Sequence, residues 1–304
     1  MTIYLDTNIW NALCDQEVDP ARLGATLVAK GARLVLSYHT VYELLKTFRG
    51  SSAQGRLRGA KLFSYLGAHL VGDHITCVHE VLELLGFEMA AVVGRIPAPD
   101  PFVSKPGLTE MISEVRRLAD GDFSAQADAF VSERLRLSSV ARSGQKDHTE
   151  ARGDMKEKLR AISTDKLGAW LMDSTSTATP TALSLLSDKI RYRFSEATLA
   201  DSLLYARALL ESRTSRAAKA LVRADLYFNW RCAHRGSNPK DLYDDMYHVM
   251  GAIYCDAYVT EEPAQAEYAH LLLTRSTGVH IYTPEVPIDQ WLESLKPKQP
   301  PIAA

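Results

Sequence analysis

Ile3-Tyr4-Leu5-Asp6-Thr7-Asn8 is the stretch that decides the fold, because an apolar run starting at the second or third residue leads directly into an aspartate, a hydroxyl and an amide. Short apolar runs of this kind are typical of strands that are buried on both faces of a parallel sheet. In open α/β sheets, ligands and reacting groups lie at the carboxyl ends of the strands. The sequence therefore makes Asp6 a candidate site residue.

The two ends of the chain alternate strand and helix patterns, which predicts βαβ units and a parallel sheet. In residues 1–95 we expect a strand at 2–6, helices near 8–15 and 20–30, a strand at 33–37, a helix from about 39, either a short strand or a connection at 72–78, and then a further helix. In residues 237–295 we expect a helix at 241–253, a strand at 256–260, a helix from 263 to about 274, a strand at 279–283 and a closing helix at 288–295.

Residues 96–236 are predicted to form a mostly helical insertion between these two parts. The proline-rich segment 97–101 marks its start. It is followed by stretches rich in Ala, Leu, Arg and Glu, including 108–119, 125–141, 154–163 and 196–234. The small-residue segment Ser174–Thr181 is predicted to be a linker or loop. The tail 296–304, with its Lys and Pro residues, is expected to be disordered.

The composition is typical of a globular enzyme, and it indicates the cellular compartment that we expect. Hydrophobic residues make up 46% and charged residues 24% of the sequence, as in ordinary folded proteins. We find no apolar stretch long enough for a membrane span and no signal-peptide pattern, so we expect no membrane partner and a cytoplasmic location. Cys14, Cys77, Cys232 and Cys255 are scattered without a Cys-x-x-Cys pair, which argues against a zinc ribbon and a disulfide scaffold.

The charges are unevenly distributed along the chain. Residues 101–235 carry 22 Lys and Arg against 17 Asp and Glu, whereas the two flanks together carry 13 against 20. A protein can bind a phosphodiester chain with a metal held by carboxylates and with Lys and Arg side chains that bind the backbone phosphates. An excess of this size is also ordinary for solvated helices, so the charge pattern alone leaves both interpretations open.

Further acids follow the pattern that Asp6 begins. Glu43 lies in the first turns of the helix after the second strand, at the same edge of the sheet as Asp6. Asp241, Asp244, Asp245 and His248 are spaced so that they line one face of a helix. The predicted strand at 256–260 begins with Asp256 and ends in Thr260, so Thr260 and Glu262 are expected at the same edge of the sheet as Asp6. A divalent cation such as Mg²⁺ or Mn²⁺ would offset the repulsion among these carboxylates.

In their order and spacing these segments resemble the PIN-domain nucleases. The resemblance rests on Asp6-Thr7-Asn8 after the first strand, on Glu43, on an aspartate at the start of a late helix, and on Val259-Thr260-Glu261-Glu262. Ile281-Tyr282-Thr283-Pro284-Glu285 is similar to the family's last strand and the Pro-Glu segment after it. The chain departs from the family in having Glu262 at the usual last Asp, and Asp244 and Asp245 compete for the third position. The resemblance covers residues 1–60 and 238–295.

The resemblance implies a three-layer α/β/α fold with a central parallel sheet, PIN-like and Rossmann-like, interrupted by the helical insertion. It further implies phosphodiester hydrolysis with one or two Mg²⁺ or Mn²⁺ ions. The implied catalytic residues are Asp6, Glu43, Asp244, Asp245 and Glu262; the implied metal ligands are the same five with Asp256. Thr7, Asn8 and Thr260 would orient these carboxylates or bound waters.

The same resemblance implies an endonuclease that prefers RNA to DNA, such as a toxin- or defence-type ribonuclease, with a homodimer and a protein inhibitor or antitoxin as expected partners. Its candidate phosphate-binding residues in the insertion are Arg134, Arg136, Lys156, Lys158, Arg191 and Arg193. Tyr192, Phe194, Tyr227 and Trp230 could stack on bases or belong to the helix core. The alternative is a PIN-like nucleic-acid-binding or scaffold module whose site has degenerated.

Overall fold

The computed structural model describes residues 1–46, 76–95, 100–104, 153–235, 242–273, 280–282 and 288–294, with isolated positions between 54 and 66, at 97, between 129 and 136, and at 286. Within these ranges, side chains are not described for residues 20, 45, 46, 104, 153–155, 235, 242–244, 280–282, 288 and 289. The predicted helix at 108–119, most of the one at 125–141 and the tail at 296–304 lie outside the described residues.

The secondary structure alternates strands and helices at both ends and is helical in the middle. The strands are β1 (Thr2–Leu5), β2 (Arg33–Val35), β3 (Thr76–Val78), β4 (Phe102–Ser104), β5 (Ala257–Val259) and β6 (His280–Tyr282). The helices are α1 (Thr7–Asp15), α2 (Pro20–Ala29), α3 (Tyr38–Lys46), α4 (Val81–Val92), α5 (Gly153–Arg160), α6 (Thr164–Ser176), α7 (Pro180–Arg193), α8 (Leu199–Glu211), α9 (Arg216–Arg235), α10 (Leu242–Gly251), α11 (Pro263–Leu272) and α12 (Ile288–Ser294). The protein is thus a mostly helical α/β protein.

A small parallel sheet joins the two ends of the chain. Its strand order is β2-β1-β5-β6, and every neighbouring pair is parallel. Ile3 pairs with Leu34 on one side and with Ala257 on the other. A parallel bridge between Leu36 and Cys77 links β3 to the edge of β2, and β3 in turn pairs antiparallel with β4. The predicted parallel sheet is confirmed, and its two central strands come from opposite ends of the sequence.

Both faces of the sheet are buried. Tyr4 and Tyr258 lie in one apolar cluster, whereas Ile3, Leu5 and Val259 lie in another. Successive side chains of a strand point to opposite faces, so a strand that is covered on both sides is mostly apolar. This explains the continuous apolar run Ile3-Tyr4-Leu5 in β1.

The described helices of the middle segment share a core with one face of the sheet. The cluster that contains Tyr4 and Tyr258 also contains Leu186 of α7, Leu209 of α8 and Leu226 of α9. α9 additionally contacts α4, α10 and α11, which belong to the flanking parts of the chain. Residues 153–235 therefore pack as part of the same hydrophobic core as the sheet.

The structure corrects two expectations about the middle segment. The predicted loop at Ser174–Thr181 is a short turn, because α6 continues through Ser176 and α7 begins at Pro180. Thr175 is fully buried and accepts hydrogen bonds from the guanidinium of Arg223 at 2.8 and 3.0 Å, a tertiary contact that outweighs the low helix propensity of Thr. The segment also contains a strand, β4, which the sequence pattern does not predict.

Among the described helices, none combines the length and apolarity that a bilayer crossing requires.

Candidate functional site

The carboxyl ends of β1 and β5 meet and bring Asp6 next to Thr260. The two strands are parallel neighbours, and the backbone N–H of Asp6 donates to the carbonyl of Val259 at 3.0 Å. Thr260 Oγ1 then donates to Asp6 Oδ2 at 2.8 Å. Strand pairing alone thus places a carboxylate from the start of the chain beside a hydroxyl that lies 254 positions later.

Asp6 is held in one orientation by three donors. Its Oδ1 accepts from the backbone N–H of Thr7 at 2.7 Å, which caps α1, and its Oδ2 accepts from Asn8 Nδ2 at 3.0 Å as well as from Thr260. The side chain is 3% exposed. A carboxylate has about four acceptor positions, so three donors leave one position for another ligand. Thr7, Asn8 and Thr260 therefore fix the orientation of this carboxylate.

Glu43 lies on α3, the helix that follows β2, and its side chain reaches the same cluster. Its Oε2 accepts a hydrogen bond from Thr7 Oγ1 at 2.6 Å and lies 2.7 Å from His248 Nε2. Its Oε1 lies 3.6 Å from His39 Nε2. Burial raises the pKa of Glu43, but hydrogen bonds with His248 and His39 outweigh this and lower the pKa well below its usual range. Glu43 is therefore ionised at neutral pH.

His248 of α10 occupies the centre of the cluster. Its side chain is 2% exposed; Nδ1 lies 3.1 Å from the hydroxyl of Tyr4 and 3.7 Å from Asp6 Oδ1. Burial lowers the pKa of His248, but the hydrogen bond to Glu43 and the charges of Asp6, Glu43 and Asp245 raise it above its usual value. The surrounding carboxylates thus make protonation of this imidazole easier than burial alone would.

Tyr4 supports His248 from within the sheet. Its hydroxyl also lies 2.6 Å from Ser37 Oγ and 2.7 Å from Thr40 Oγ1, so the start of α3 is tied to β1. Gly251, at the end of α10, makes room for the ring, because a Cβ at that position would lie 2.7 Å from Tyr4 Cε2. The absence of a side chain at Gly251 lets α10 approach the sheet closely enough for His248 to reach Tyr4.

Asp245 and Glu262 complete the acidic side of the site. Asp245 Oδ1 accepts from Gln265 Nε2 at 3.1 Å, and Gln265 Oε1 in turn accepts from the Tyr258 hydroxyl at 2.6 Å. Burial raises the pKa of Asp245 to about 7, with further contributions from the charges of Glu262, Asp6 and Glu43. Four carboxylates, from four separate segments, therefore act on one another at this edge of the sheet.

Asp245→Asn is expected to stabilise the metal-free protein increasingly as the pH rises. The pKa of Asp245 is about 7 in the folded protein, against about 4 in an unfolded chain. Between these values the folded state retains a proton that the unfolded state has released, so this group lowers the free energy of unfolding as the pH rises through that window. Asn cannot ionise, so the difference in melting temperature between the variant and wild type should grow from about pH 4 to about pH 7 and then level off.

The measurement is thermal unfolding in chelator-containing buffers across this pH range. Asp173→Asn, which changes an exposed aspartate on α6, is the matched control. A stability difference that stays constant with pH, or that shrinks as the pH rises, would contradict the raised pKa of Asp245.

The structure does not place two of the predicted metal ligands, Asp256 and Asp244, in this cluster. Asp256 lies at the opposite end of β5, where its Oδ2 accepts from the backbone N–H of Thr2 at 2.8 Å and from the Thr2 hydroxyl at 3.1 Å. The whole of β5 separates it from Thr260, about 13 Å of extended chain, so the prediction that Asp256 is a metal ligand is wrong. Asp244 belongs to α10, but its side chain, like the whole of Asp241, lies outside what the structure describes.

The candidate phosphate-binding residues are spread over several helices. Lys156 and Lys158 are exposed on α5, and Arg191 and Arg193 are exposed at the end of α7. Arg136 is exposed as well, but its guanidinium makes two hydrogen bonds to Glu133, at 2.7 and 2.8 Å. Arg134 lies outside the described residues.

The aromatic side chains of the middle segment divide into core and surface. Tyr227 and Trp230 are buried, Phe194 is partly buried against the core, and Tyr192 is 71% exposed. Tyr227 and Trp230 therefore belong to the helix core, the second of the two interpretations that the sequence left open. Tyr192, between Arg191 and Arg193, remains accessible for stacking.

Sequence reasoning placed His248 on the helix face of the aspartates without giving it a role in the site, and it did not include His39. One ligand atom each of His39, Glu43 and His248 lies within 4.8 Å of the other two, which makes them a candidate metal-binding group among the described residues. A sequence signal existed in each case: His39 precedes Glu43 by one helical turn, and His248 follows Asp245 by three positions on the same helix face.

Comparison with protein-family models, curated proteins and solved structures gave no match to this chain.

Proposed function

We propose that this protein is a metal-dependent endonuclease that hydrolyses phosphodiester bonds, with RNA as the preferred substrate and DNA as the second. The observation that carries the proposal is the convergence of Asp6, Glu43, Asp245 and Glu262 at the carboxyl edge of the parallel sheet. This edge is where open α/β folds place their ligands. The resemblance of Asp6-Thr7-Asn8 and Val259-Thr260-Glu261-Glu262 to the PIN-domain nucleases supports a PIN-like three-layer arrangement for the sheet and its helices.

The donor set suits Mg²⁺ or Mn²⁺. Hard divalent cations take carboxylate oxygens and retain waters. Burial, with the like charges of Glu262, Asp6 and Glu43, raises the pKa of Asp245 to about 7, and a bound cation would favour its ionised form. Asp6 keeps one acceptor position beyond its three hydrogen bonds. Asp6, Glu43, Asp245 and Glu262 would therefore hold the cation.

The chain's own residues would fix the geometry of hydrolysis. A bound divalent cation supplies Lewis acidity, which polarises the phosphoryl group and makes a bound water more acidic. Thr7 orients Glu43 through its hydroxyl and Asp6 through its backbone N–H, while Asn8 and Thr260 hold the other oxygen of Asp6. Gln265 fixes Asp245. These hydrogen bonds would keep the carboxylates in place without rearrangement when substrate binds.

Exposed cations on the helical segment would bind the substrate backbone. Lys156, Lys158, Arg191 and Arg193 are available for phosphates, and Tyr192 for stacking on a base. A toxin- or defence-type ribonuclease in the cytoplasm, forming a homodimer and held in check by a protein inhibitor or antitoxin, is the biological setting that the resemblance supports.

A second candidate function is a nucleic-acid-binding or scaffold module without catalysis. One observation favours it: the imidazole of His248 lies 2.7 Å from Glu43 and 3.7 Å from Asp6, so the acid cluster partly neutralises itself without a cation. Tight RNA binding without turnover would support this alternative.

The test is a cleavage assay on chelator-treated wild-type protein with labelled single-stranded RNA, double-stranded RNA and single-stranded DNA. We expect no cleavage without a divalent cation, internal cleavage of RNA when Mg²⁺ or Mn²⁺ is restored, and slower cleavage of DNA. Cleavage that persists in excess chelator, or no cleavage of any substrate with either cation, would overturn the proposal.

A further inference from the structure

We propose that His39, Glu43 and His248 form a cation site with nitrogen ligands that prefers a first-row transition ion, such as Zn²⁺ or Co²⁺, to Mg²⁺. The site adjoins the carboxylates of the proposed nuclease centre and shares Glu43 with them. It deepens that proposal by specifying a second kind of cation, but it can be tested without any nuclease activity.

Two of the three ligand separations are close to those that such a site requires. His248 Nε2 lies 2.7 Å from Glu43 Oε2, and His39 Nε2 lies 3.6 Å from Glu43 Oε1. In a tetrahedral zinc site with bonds near 2.1 Å, neighbouring ligand atoms are about 3.4 Å apart. One ligand atom each of His39, Glu43 and His248 lies within 4.8 Å of the other two, so side-chain rotations would bring the three atoms around one cation.

The surroundings of the ligands match those of metal-binding histidines. Such histidines present one ring nitrogen to the metal and engage the other with a carboxylate or another polar group. His248 directs Nε2 at Glu43 and Nδ1 at the Tyr4 hydroxyl, with Asp6 Oδ1 3.7 Å away. A cation bound at Nε2 would take the place of the proton shared with Glu43 and release it to solvent. Thr7 Oγ1 donates to Glu43 Oε2 at 2.6 Å, so the third ligand is oriented as well.

Packing holds the two imidazole rings in position before any cation arrives. The ring of His39 stacks on Tyr247 with centroids 5.2 Å apart and meets the ring of His248 edge-on at 4.7 Å. Both histidines are buried. Ligands that are already ordered lose little entropy on binding, which favours a built site over a chance meeting of side chains.

The chemistry of the ligands sets the preference among cations. Imidazole nitrogen suits Zn²⁺ and its neighbours in the first transition row, whereas Mg²⁺ demands oxygen ligands in an octahedron and loses its waters reluctantly. Two of the three ligands are nitrogens. The carboxylates of Asp245 and Glu262 offer oxygen alone, so the two halves of the site should select different cations.

Co²⁺ is the probe, because its visible absorption reports its ligands while it occupies the same kinds of site as Zn²⁺. Chelator-treated protein is titrated with Co²⁺ in millimolar Mg²⁺, which fills any site made of oxygen ligands alone. We expect about one equivalent of Co²⁺ to bind to wild type with a visible absorption band. Both His39→Gln and His248→Gln should weaken this binding by about 100-fold or more. His270→Gln, which removes an exposed imidazole from α11, should leave it unchanged.

The outcomes separate this inference from the nuclease proposal. Asp6→Asn should strongly reduce RNA cleavage yet weaken Co²⁺ binding by only about tenfold, less than either histidine variant, because Asp6 lies beside His248 and is not among the proposed Co²⁺ ligands. Displacement of all Co²⁺ by Mg²⁺, or unchanged Co²⁺ affinity in His39→Gln, would overturn the nitrogen-ligand site even if RNA is cleaved. If His248→Gln fails to fold, as judged by circular dichroism, the His39→Gln result decides.

Discussion

Asp6→Asn is expected to reduce metal-dependent RNA cleavage by about 10³-fold or more, since carboxylate coordination of a catalytic cation is worth several kcal/mol of transition-state stabilisation. Asp6 lies at the centre of the site, where it contacts Thr7, Asn8 and Thr260 and acts on His248 and Asp245. Asn retains the size of the side chain and removes its charge. The loss should therefore appear in the cleavage rate rather than in the fold.

The local structure should survive this change because Asn caps helices as well as Asp does. The amide oxygen of the substituted side chain could still accept from the backbone N–H of Thr7 and so keep the start of α1. The new NH₂ group would face Asn8 Nδ2 and the Thr260 hydroxyl, which must reorient, so we expect the free energy of unfolding to fall by about 1 to 3 kcal/mol with the fold intact. Single-turnover cleavage and thermal unfolding are measured on the same preparations, with Asp173→Asn as the control. Cleavage within about tenfold of wild type would show that Asp6 is not part of the reaction.

Glu88→Ala is expected to lower the free energy of unfolding by about 2 to 4 kcal/mol, because two backbone N–H groups and a tyrosine hydroxyl lose their buried acceptor. Glu88 of α4 is 6% exposed. Its two oxygens accept from the backbone N–H groups of Ala217, at 2.6 Å, and Ala218, at 2.9 Å, in the first turn of α9; the Tyr254 hydroxyl also donates to it. Ala at position 88 would leave these donors buried without an acceptor. The N-terminus of α9 would also lose the negatively charged group that its dipole favours.

A series of substitutions tests this role through urea denaturation. Glu88→Gln should fall between wild type and Glu88→Ala, because an amide oxygen can accept from one backbone N–H while its NH₂ group opposes the other. Glu157→Ala, which changes an exposed glutamate on α5, should stay within about 0.5 kcal/mol of wild type. A loss of less than about 1 kcal/mol for Glu88→Ala would show that water replaces the carboxylate at the start of α9.

The parts of the fold that depend on local pattern could be predicted from the sequence. Both faces of β1 and β5 are buried, and the apolar runs Ile3-Tyr4-Leu5 and Ala257-Tyr258-Val259 indicate this burial. Once two strands are parallel neighbours, the polar residues that follow them must meet at one edge. This is why Asp6 and Thr260 could be paired from sequence although 254 positions separate them.

Predictions failed where the outcome depends on contacts between distant segments. Ser174 and Thr175 have the composition of a loop, but Thr175 is held within α6 by Arg223 of α9. The sequence pattern groups Asp256 with the acids at the carboxyl edge, whereas the hydrogen bonds to Thr2 place it before β5. A carboxylate that precedes a strand lies at the other end of the sheet from one that follows it, and local pattern does not fix which neighbour it contacts there.

The sequence by itself thus determined that β1 leads into a carboxylate at the carboxyl edge of a parallel sheet, because the burial of a strand follows from its local apolar pattern. Only the tertiary structure decided that His248 lies between Asp6 and Glu43. That position depends on how closely α10 approaches β1 at Gly251 and on how α3 is tied to Tyr4, distances that no local pattern encodes. The charge and the ligands of the site follow from this packing, since a buried imidazole takes its protonation state from the groups it touches.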